Sequence, residues 1–269
     1  MTPPNPSTEI ARLIDIVFML RSPGGCPWDR EQTIDSLKPF ILEEAYELVE
    51  AIDRGDHAAI TEELGDFLFE AVFVAQLEQE SGHPTIADAI RGVADKLVRR
   101  HPHVFRRDEG EPALETAGQV RTRWEEIKAQ ERGGAGRKTL LSGIPVALPA
   151  LLRAYQMSQR AASVGFDWGA ASDVVSKMQE EVDEIRAVVS TERPIDAERI
   201  EEDVGDLLFA IANLSRKLRV EPETALRKAT EKFARRFSSM ESQVAAAGHT
   251  LAGQSIEALD RLWEEAKRA

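Results

Sequence analysis

Apolar residues recur at helical spacing along most of the chain, and the breaks between these runs delimit the elements. The first run covers residues 8 to 21 and stops at SPGGCPWD, where Pro23, Gly24, Gly25 and Pro27 predict a tight loop with no regular element. A helical pattern resumes near Gln32, is expected to be interrupted at Pro39, and continues to about Arg54 with Leu42, Ala45, Val49 and Ile52 at helical intervals. Asp56 is placed to cap the next helix, in which Leu64, Leu68, Ala71, Val72 and Ala75 repeat until Gly82 and Pro84. Thr85 opens another helix that ends at RRHPHVF, and a further one carries VRTRWEEIKAQER.

The following stretch, GGAGRKTLLSGIPVALP, has glycines and prolines without periodicity, as a linker would. The expected organisation is a first domain over 1–132, a linker over 133–147 and a second domain over 148–269. The second half repeats the order of the first: a helix from about Pro149, the loop SVGFDW, acidic helices over about 171–190 and 196–219, then helices over 222–247 and 255–268. Sequence follows the same order. EEAYE and ELGD in the first half answer to EEVDE and DVGD in the second, KLVRR to KFARR, and WEEIK to WEEAK. Four elements recurring in one order point to duplication.

Composition narrows the class. The chain has 269 residues, 42% hydrophobic and 30% charged but only 6% aromatic, which suits helices. An all-α protein is expected. The formal net charge of -13 argues against a nucleic-acid partner, since phosphate backbones would be repelled. A small polyanion held through metal ions stays open. Cys26 is the single cysteine, so no intramolecular disulfide forms, and the N-terminal residues lack a signal-peptide pattern; a cytoplasmic protein is expected. FLFEAVFVAQL is short and contains Glu70, so no membrane span is expected.

The acids carry the chemistry. Glu181 and Glu184 project from one side of their helix, and Asp203 and Asp206 from one side of the next. The apolar stripes, Val182, Ile185 and Val189 on one helix and Leu207, Ile211 and Leu214 on the other, lie beside these acids. That places the carboxylates at the rim of the helix contact, where like charges repel unless a cation sits among them. Hard oxygen donors without His or Cys select Mg²⁺ or Mn²⁺ and leave sites for water and phosphate oxygens. An isolated EExxE segment reads first as a solvated helix face. The paired occurrence, each with an acid-x-x-Asp pair shortly after, favours a metal site. A ferritin-like di-iron bundle needs Glu-x-x-His on two helices; the one match, Glu80 to His83, lies outside both acidic motifs, and His83 reads as a surface histidine. Lys232, Arg235 and Arg236 lie within about a turn of one another and suit a triphosphate's outer charges. Trp263 is suited to stack on a base, with Lys267 one turn along. Taken singly, a basic run is more often solvated and such a Trp more often packed; their repetition with the acids is what raises them.

The motifs EEVDE with DVGD, EEAYE with ELGD, the loop GGCPWD, the string KLVRRHPHVF and the paired VGFDW resemble the MazG nucleoside triphosphate pyrophosphohydrolases over essentially the whole chain. The resemblance implies two tandem all-α MazG domains, a homodimer, and Mg²⁺-dependent conversion of NTP or dNTP, ATP among them, to NMP and pyrophosphate, as in nucleotide-pool house-cleaning. It assigns the metal to Glu181, Glu184, Asp203 and Asp206, with Glu180 beside them, and in the first half to Glu44, Glu47, Glu63 and Asp66, with Glu43 beside them. It maps nucleotide contacts to Lys177 with the adjoining acidic helix, Glu201, Glu202, Lys232, Arg235, Arg236 and Trp263. The duplicated counterparts are Lys96, Arg99, Arg100, Trp124 and Lys128. Asp203 stands where the family motif has Glu, one methylene shorter; the resemblance nonetheless points to the C-terminal copy as the working one. The rival expectations are a non-catalytic nucleotide-binding or regulatory helical dimer and a duplicated structural bundle.

Overall fold

A computed structural model describes residues 5–105, 116, 118–120, 123–124, 127, 139–190 and 196–268. They fall into two compact units, Met1–Gly134 and Ala135–Ala269, and every regular element among the described residues is helical. In unit 1 the helices are α1 (Pro6–Arg21), α2 (Pro27–Glu31), α3 (Ile34–Arg54), α4 (His57–Glu80), α5 (Ile86–Arg100) and the single turn α6 (Pro102–Phe105).

Local chemistry sets the ends. Thr33 and Ser36 form a reciprocal capping box at the start of α3, and Thr85 and Asp88 do so for α5. The Asp56 carboxylate accepts from the amides of Ala58 and Ala59 at 3.0 and 3.2 Å, the cap its position predicts. Gly55 stops α3 in the left-handed conformation (φ 69°), so the chain reverses within two residues and α4 packs back along α3. Two sequence expectations are overturned here. The SPGGCPWD segment does contain a regular element, α2, because Pro27 takes the first helical position, where its missing N–H costs nothing. Nor does Pro39 interrupt α3. It lies near the helix start and is exposed, so only one backbone bond is lost and the unpaired Asp35 carbonyl can turn to water.

The core of unit 1 is Val17 of α1, Leu37 of α3, and Val72, Phe73 and Leu77 of α4, with Phe69 edge-on to Phe73 at 5.6 Å between ring centres. Each of the larger side chains stabilises by about 1.5–3 kcal/mol when fully buried. Arg21 closes one end. Its guanidinium lies over the Phe73 ring, bonds both Glu80 oxygens, and donates to the carbonyls of Asp29 and Gln32. The hydrogen bond from Arg21, against the opposing effect of burial, holds the Glu80 carboxyl below its ordinary value. One side chain thereby joins the ends of α1 and α4 to the loop around α2. At that loop Gly25 runs so close to the end of α1 that any side chain would collide with the backbone oxygens of Leu20 and Met19.

Unit 2 comprises α7 (Ala150–Ala162), α8 (Ala171–Val189), α9 (Ala197–Lys217), α10 (Pro222–Ala246), a 3-10 turn (Leu251–Gly253) and α11 (Ile256–Ala266). The periodicity anticipated α8 to α11 to within two residues at either end, and the start of α7 to within one. The α9 helix packs on α7, α8 and α10, and α11 on α10. Its loop anchor differs from that of unit 1: Asp167 receives Arg216 and Lys217 of α9, and Lys217 also bonds the Trp168 carbonyl. Burial alone would raise the Asp167 carboxyl, but the hydrogen bonds and charges of Lys217 and Arg216 outweigh it and lower the value.

Two outcomes test these anchors. Gly25→Ala should destabilise the chain by about 2 kcal/mol in urea unfolding, since backbone must move to admit the methyl. Asp167→Asn should lower the melting temperature at pH 7. A lowered folded value contributes stability above the unfolded value of 3.8 and loses it as pH falls through the folded one, so the gap to wild type should close below about pH 4.

Candidate functional site

The acids lie on the seam between the paired helices. On α3, Leu37 and Ala51 are buried, and Glu44 stands midway, two turns from each. On α4, Glu63, Glu70 and Leu77 follow one another at the same two-turn interval, with Asp66 alongside. In unit 2 the row on α8 is Val174, Glu181 and Val188, all buried, and on α9 Asp203 and Ala210 are buried. The sequence placed the unit 2 carboxylates at the rim of the contact; Glu181 and Asp203 are instead inside it, as is Glu70 of unit 1. The reason is periodicity. In both units the first acid of the pair on the leading helix takes a position of the buried row that flanking turns fill with Leu, Val or Ala.

In unit 1, one oxygen each of Glu44, Glu63 and Asp66 lies within 4.8 Å of the other two. Burial first, then the charges of Asp66, Glu47, Glu63 and Glu43, push the Glu44 carboxyl up. Burial, the charges of Glu47, Glu62 and Asp66, and a hydrogen bond shared with Glu47 do the same to Glu63. Glu47 and Asp66 are exposed and form the open side. Glu70, absent from the motif reading, belongs here: it is 6% exposed, its Oε2 has no hydrogen-bond partner among the described residues, and burial followed by the charges of Glu44 and Asp66 raises it. The signal was in the sequence as Asp66 and Glu70 one turn apart. A carboxylate inside an apolar run looked there only like a bar to membrane insertion. An oxygen-only donor set with a stranded buried carboxylate oxygen fits a hard divalent cation.

Unit 2 is arranged otherwise. Among the described residues no three of Glu181, Glu184, Asp203 and Asp206 meet the same span. Glu181 is 5% exposed and lies 2.8 Å from the Lys177 ammonium, which also reaches Glu180 at 3.2 Å. Hydrogen bonds to Glu181 and Glu180 raise the Lys177 value. Asp203 is buried with Oδ2 unpartnered among the described residues, whereas Glu184 and Asp206 are exposed. These four also offer only hard oxygen donors, with Asp203 Oδ2 available. Glu201 and Glu202 are exposed on the first turns of α9.

The basic residues and the tryptophan sit on α10 and α11. Lys232 and Arg235 are exposed; Arg236 lies over the Trp263 ring at 5.9 Å. Trp263 also packs on Phe233 at 5.2 Å between ring centres and, with Phe233, Phe237, Met240, Leu251 and Leu259, lines an apolar hollow. Lys267 pairs with Glu264 one turn back. In unit 1, Lys96 and Arg99 are exposed on α5 and Arg100 half-buried; Glu43 is exposed on α3. Trp124 is half-buried, 6.3 Å from the His101 ring, and Lys128 lies outside the described residues. His83 is exposed beside Glu78, away from the acids, as its sequence context suggested.

The family model for the MazG nucleotide pyrophosphohydrolase domain matches residues 32–105, the stretch that holds α3 to α6. A nucleoside triphosphate pyrophosphohydrolase of Escherichia coli K12 is 44% identical over 97% of this chain and 97% of its own. The nucleoside triphosphate pyrophosphohydrolase/pyrophosphatase MazG of Thermotoga maritima is 46% identical over 95% of this chain and 94% of its own. The crystal structure of a mazG-related protein from Thermotoga maritima aligns with 44% of this chain and 98% of its own at 30% identity, with a TM-score of 0.37.

The ion pair in unit 2 makes a specific forecast. Lys177→Met should lower the melting temperature, because Glu181 is left as an unpartnered buried charge, and adding Glu181→Gln should restore most of the loss. An unchanged melting temperature in Lys177→Met would show that the pair contributes nothing.

Proposed function

Because the chain belongs to the MazG family and is a nucleoside triphosphate pyrophosphohydrolase, we propose that it cleaves NTPs and dNTPs to NMP and pyrophosphate with Mg²⁺, for which Mn²⁺ can substitute. The observation that carries the metal assignment is the meeting of Glu44, Glu63 and Asp66 oxygens on a buried helix seam. The ligands are Glu181, Glu184, Asp203 and Asp206 in unit 2, and Glu44, Glu47, Glu63 and Asp66 in unit 1. When bound, the cation supplies positive charge to phosphate oxygens and makes water a better nucleophile.

The remaining groups act around that centre. A water oxygen attacks the α-phosphorus, its proton passes to Glu180, and the bond from the α-phosphorus to the bridging oxygen breaks, leaving pyrophosphate with the electron pair. Lys177, at 3.2 Å from Glu180, holds that carboxylate in place while it takes the proton. Lys232, Arg235 and Arg236 stabilise charge on the departing pyrophosphate. Trp263 offers a face to the base, held by Phe233 and Arg236. Glu201 and Glu202 border the nucleotide. The two domains over 1–132 and 148–269 act within a homodimer in the cytoplasm. On the outer faces of α3 and α4, Leu42, Tyr46, Leu64 and Leu68 are each more than a third exposed, which supports a partner surface there. No helix among the described residues is long and apolar enough to cross a membrane.

The resemblance favours unit 2 as the working half. A second reading, with hydrolysis in unit 1, is favoured by the closer approach of its acids. Pyrophosphate release over a panel of NTPs, on wild type, Glu47→Ala and Glu184→Ala, decides between them. The expected result is release that needs Mg²⁺, stops with EDTA, and falls by about 100-fold or more in Glu184→Ala. Loss in Glu47→Ala alone would move the chemistry to unit 1, and release unaffected by either would sink the metal assignment.

A further inference from the structure

We infer that Glu70 is a fourth carboxylate of the unit 1 cation site, and that it lets unit 1 hold a divalent cation before any nucleotide arrives. The inference rests on the reading of the acids as metal ligands. Glu70 stands one turn beyond Asp66 and two beyond Glu63 on the same side of α4, the side packed against α3. It is 6% exposed and, among the described residues, its Oε2 has no hydrogen-bond partner. Buried polar oxygens are nearly always bonded, and leaving one stranded is costly. The charges that reach Glu70 are those of Glu44 and Asp66, of its own sign. Among the described residues no opposite charge compensates it, whereas a hard dication set among Glu44, Glu63 and Asp66 would.

Unit 2 carries the opposite arrangement at the corresponding layer. Matching Asp66 with Asp206 puts Ala210 in the place of Glu70; matching Glu44 with Glu181 puts Lys177 in the place of Phe40. Phe40 is partly buried against the apolar core and lies 5.8 Å from the Trp28 ring, whereas Lys177 reaches Glu181 at 2.8 Å. Since paired helices run in opposite directions, one turn before Glu44 and one turn after Asp66 fall at the same level of the seam. Unit 1 has there an extra negative charge and unit 2 an extra positive one. The Lys177 ammonium thus offsets Glu181, one of the two buried acids of unit 2, in the absence of metal, and unit 2, where Asp203 keeps a free Oδ2, gains its cation together with the phosphates of a nucleotide.

The test is a Mn²⁺ titration of the full chain, stripped of metal and free of nucleotide, with free Mn²⁺ counted by electron paramagnetic resonance. One ion per chain is expected, bound roughly tenfold or more weakly in Glu70→Gln and equally well in Glu181→Gln. Without metal, Glu70→Gln should melt higher than wild type, because an amide replaces a stranded charge, and its melting point should rise less on adding Mn²⁺. Glu70→Ala, which copies Ala210, is the second variant should the glutamine chain fold poorly. No ion bound by the wild type, an affinity indifferent to Glu70, or an ion lost with Glu181→Gln would each overturn the inference. Pyrophosphate release by the same wild-type preparation separates the failures: with release intact, only the role of Glu70 falls; without it, the functional reading falls.

Discussion

Carboxylates on the buried seam of a helix pair are the constraint to which the rest of this molecule answers. Packing alone would fill those positions with Leu, Val or Ala, as it does one row above and below Glu44 and Glu181. An ionised acid there loses hydration and meets others of its sign, and both effects raise Glu44, Glu63 and Glu70. A fold keeps such a site only if the surrounding helices are stable without it and some positive charge offsets the acids.

The scaffold meets the first condition by local means. Reciprocal caps on α3 and α5, the Asp56 cap and the left-handed Gly55 set where the helices begin and end, and so the register in which α3 and α4 meet. A slip of one residue along either helix would swing the acids about 100° off the seam. Arg21 and the Phe73 core hold α1, α3 and α4 together away from the acids. Stability and chemistry therefore draw on different layers of the same helices, the repeating apolar rows and the acidic interruption between them.

The two units answer the second condition differently. Unit 2 keeps its own cation, Lys177, against Glu181, while unit 1 brings three acids within mutual reach of one ion and buries a fourth beside them. The membership of the chain in a nucleotide pyrophosphohydrolase family gives the acids their setting, because triphosphates and carboxylates share a need for divalent cations. Between the two units the acidic helix pair recurs while the neighbouring layer changes sign. Around Trp263, aromatic packing with Phe233 and the Arg236 guanidinium fixes the indole, so an exposed basic run and an anchored ring share α10 and α11.

Much of this was legible in the sequence because it is set within a few residues. Helical runs, the Asp56 and Thr85 caps and the acidic motifs all depend on neighbours within a turn or two. Pro39 and the α2 segment were misread where a breaker's effect depends on its place in a helix: at the first position or near an exposed start, the lost N–H costs little. The depth of the acids, the orphaned oxygen of Glu70 and the exchange of Phe40 for Lys177 could not be read that way. Each depends on which row of α3 faces which row of α4, or α8 which of α9, and burial is a property of that pairing. The sequence by itself determined that helices would form and carry acids at regular intervals. Only the tertiary structure decided which acids lie inside, because desolvation and charge are felt across the seam between two helices rather than along either one.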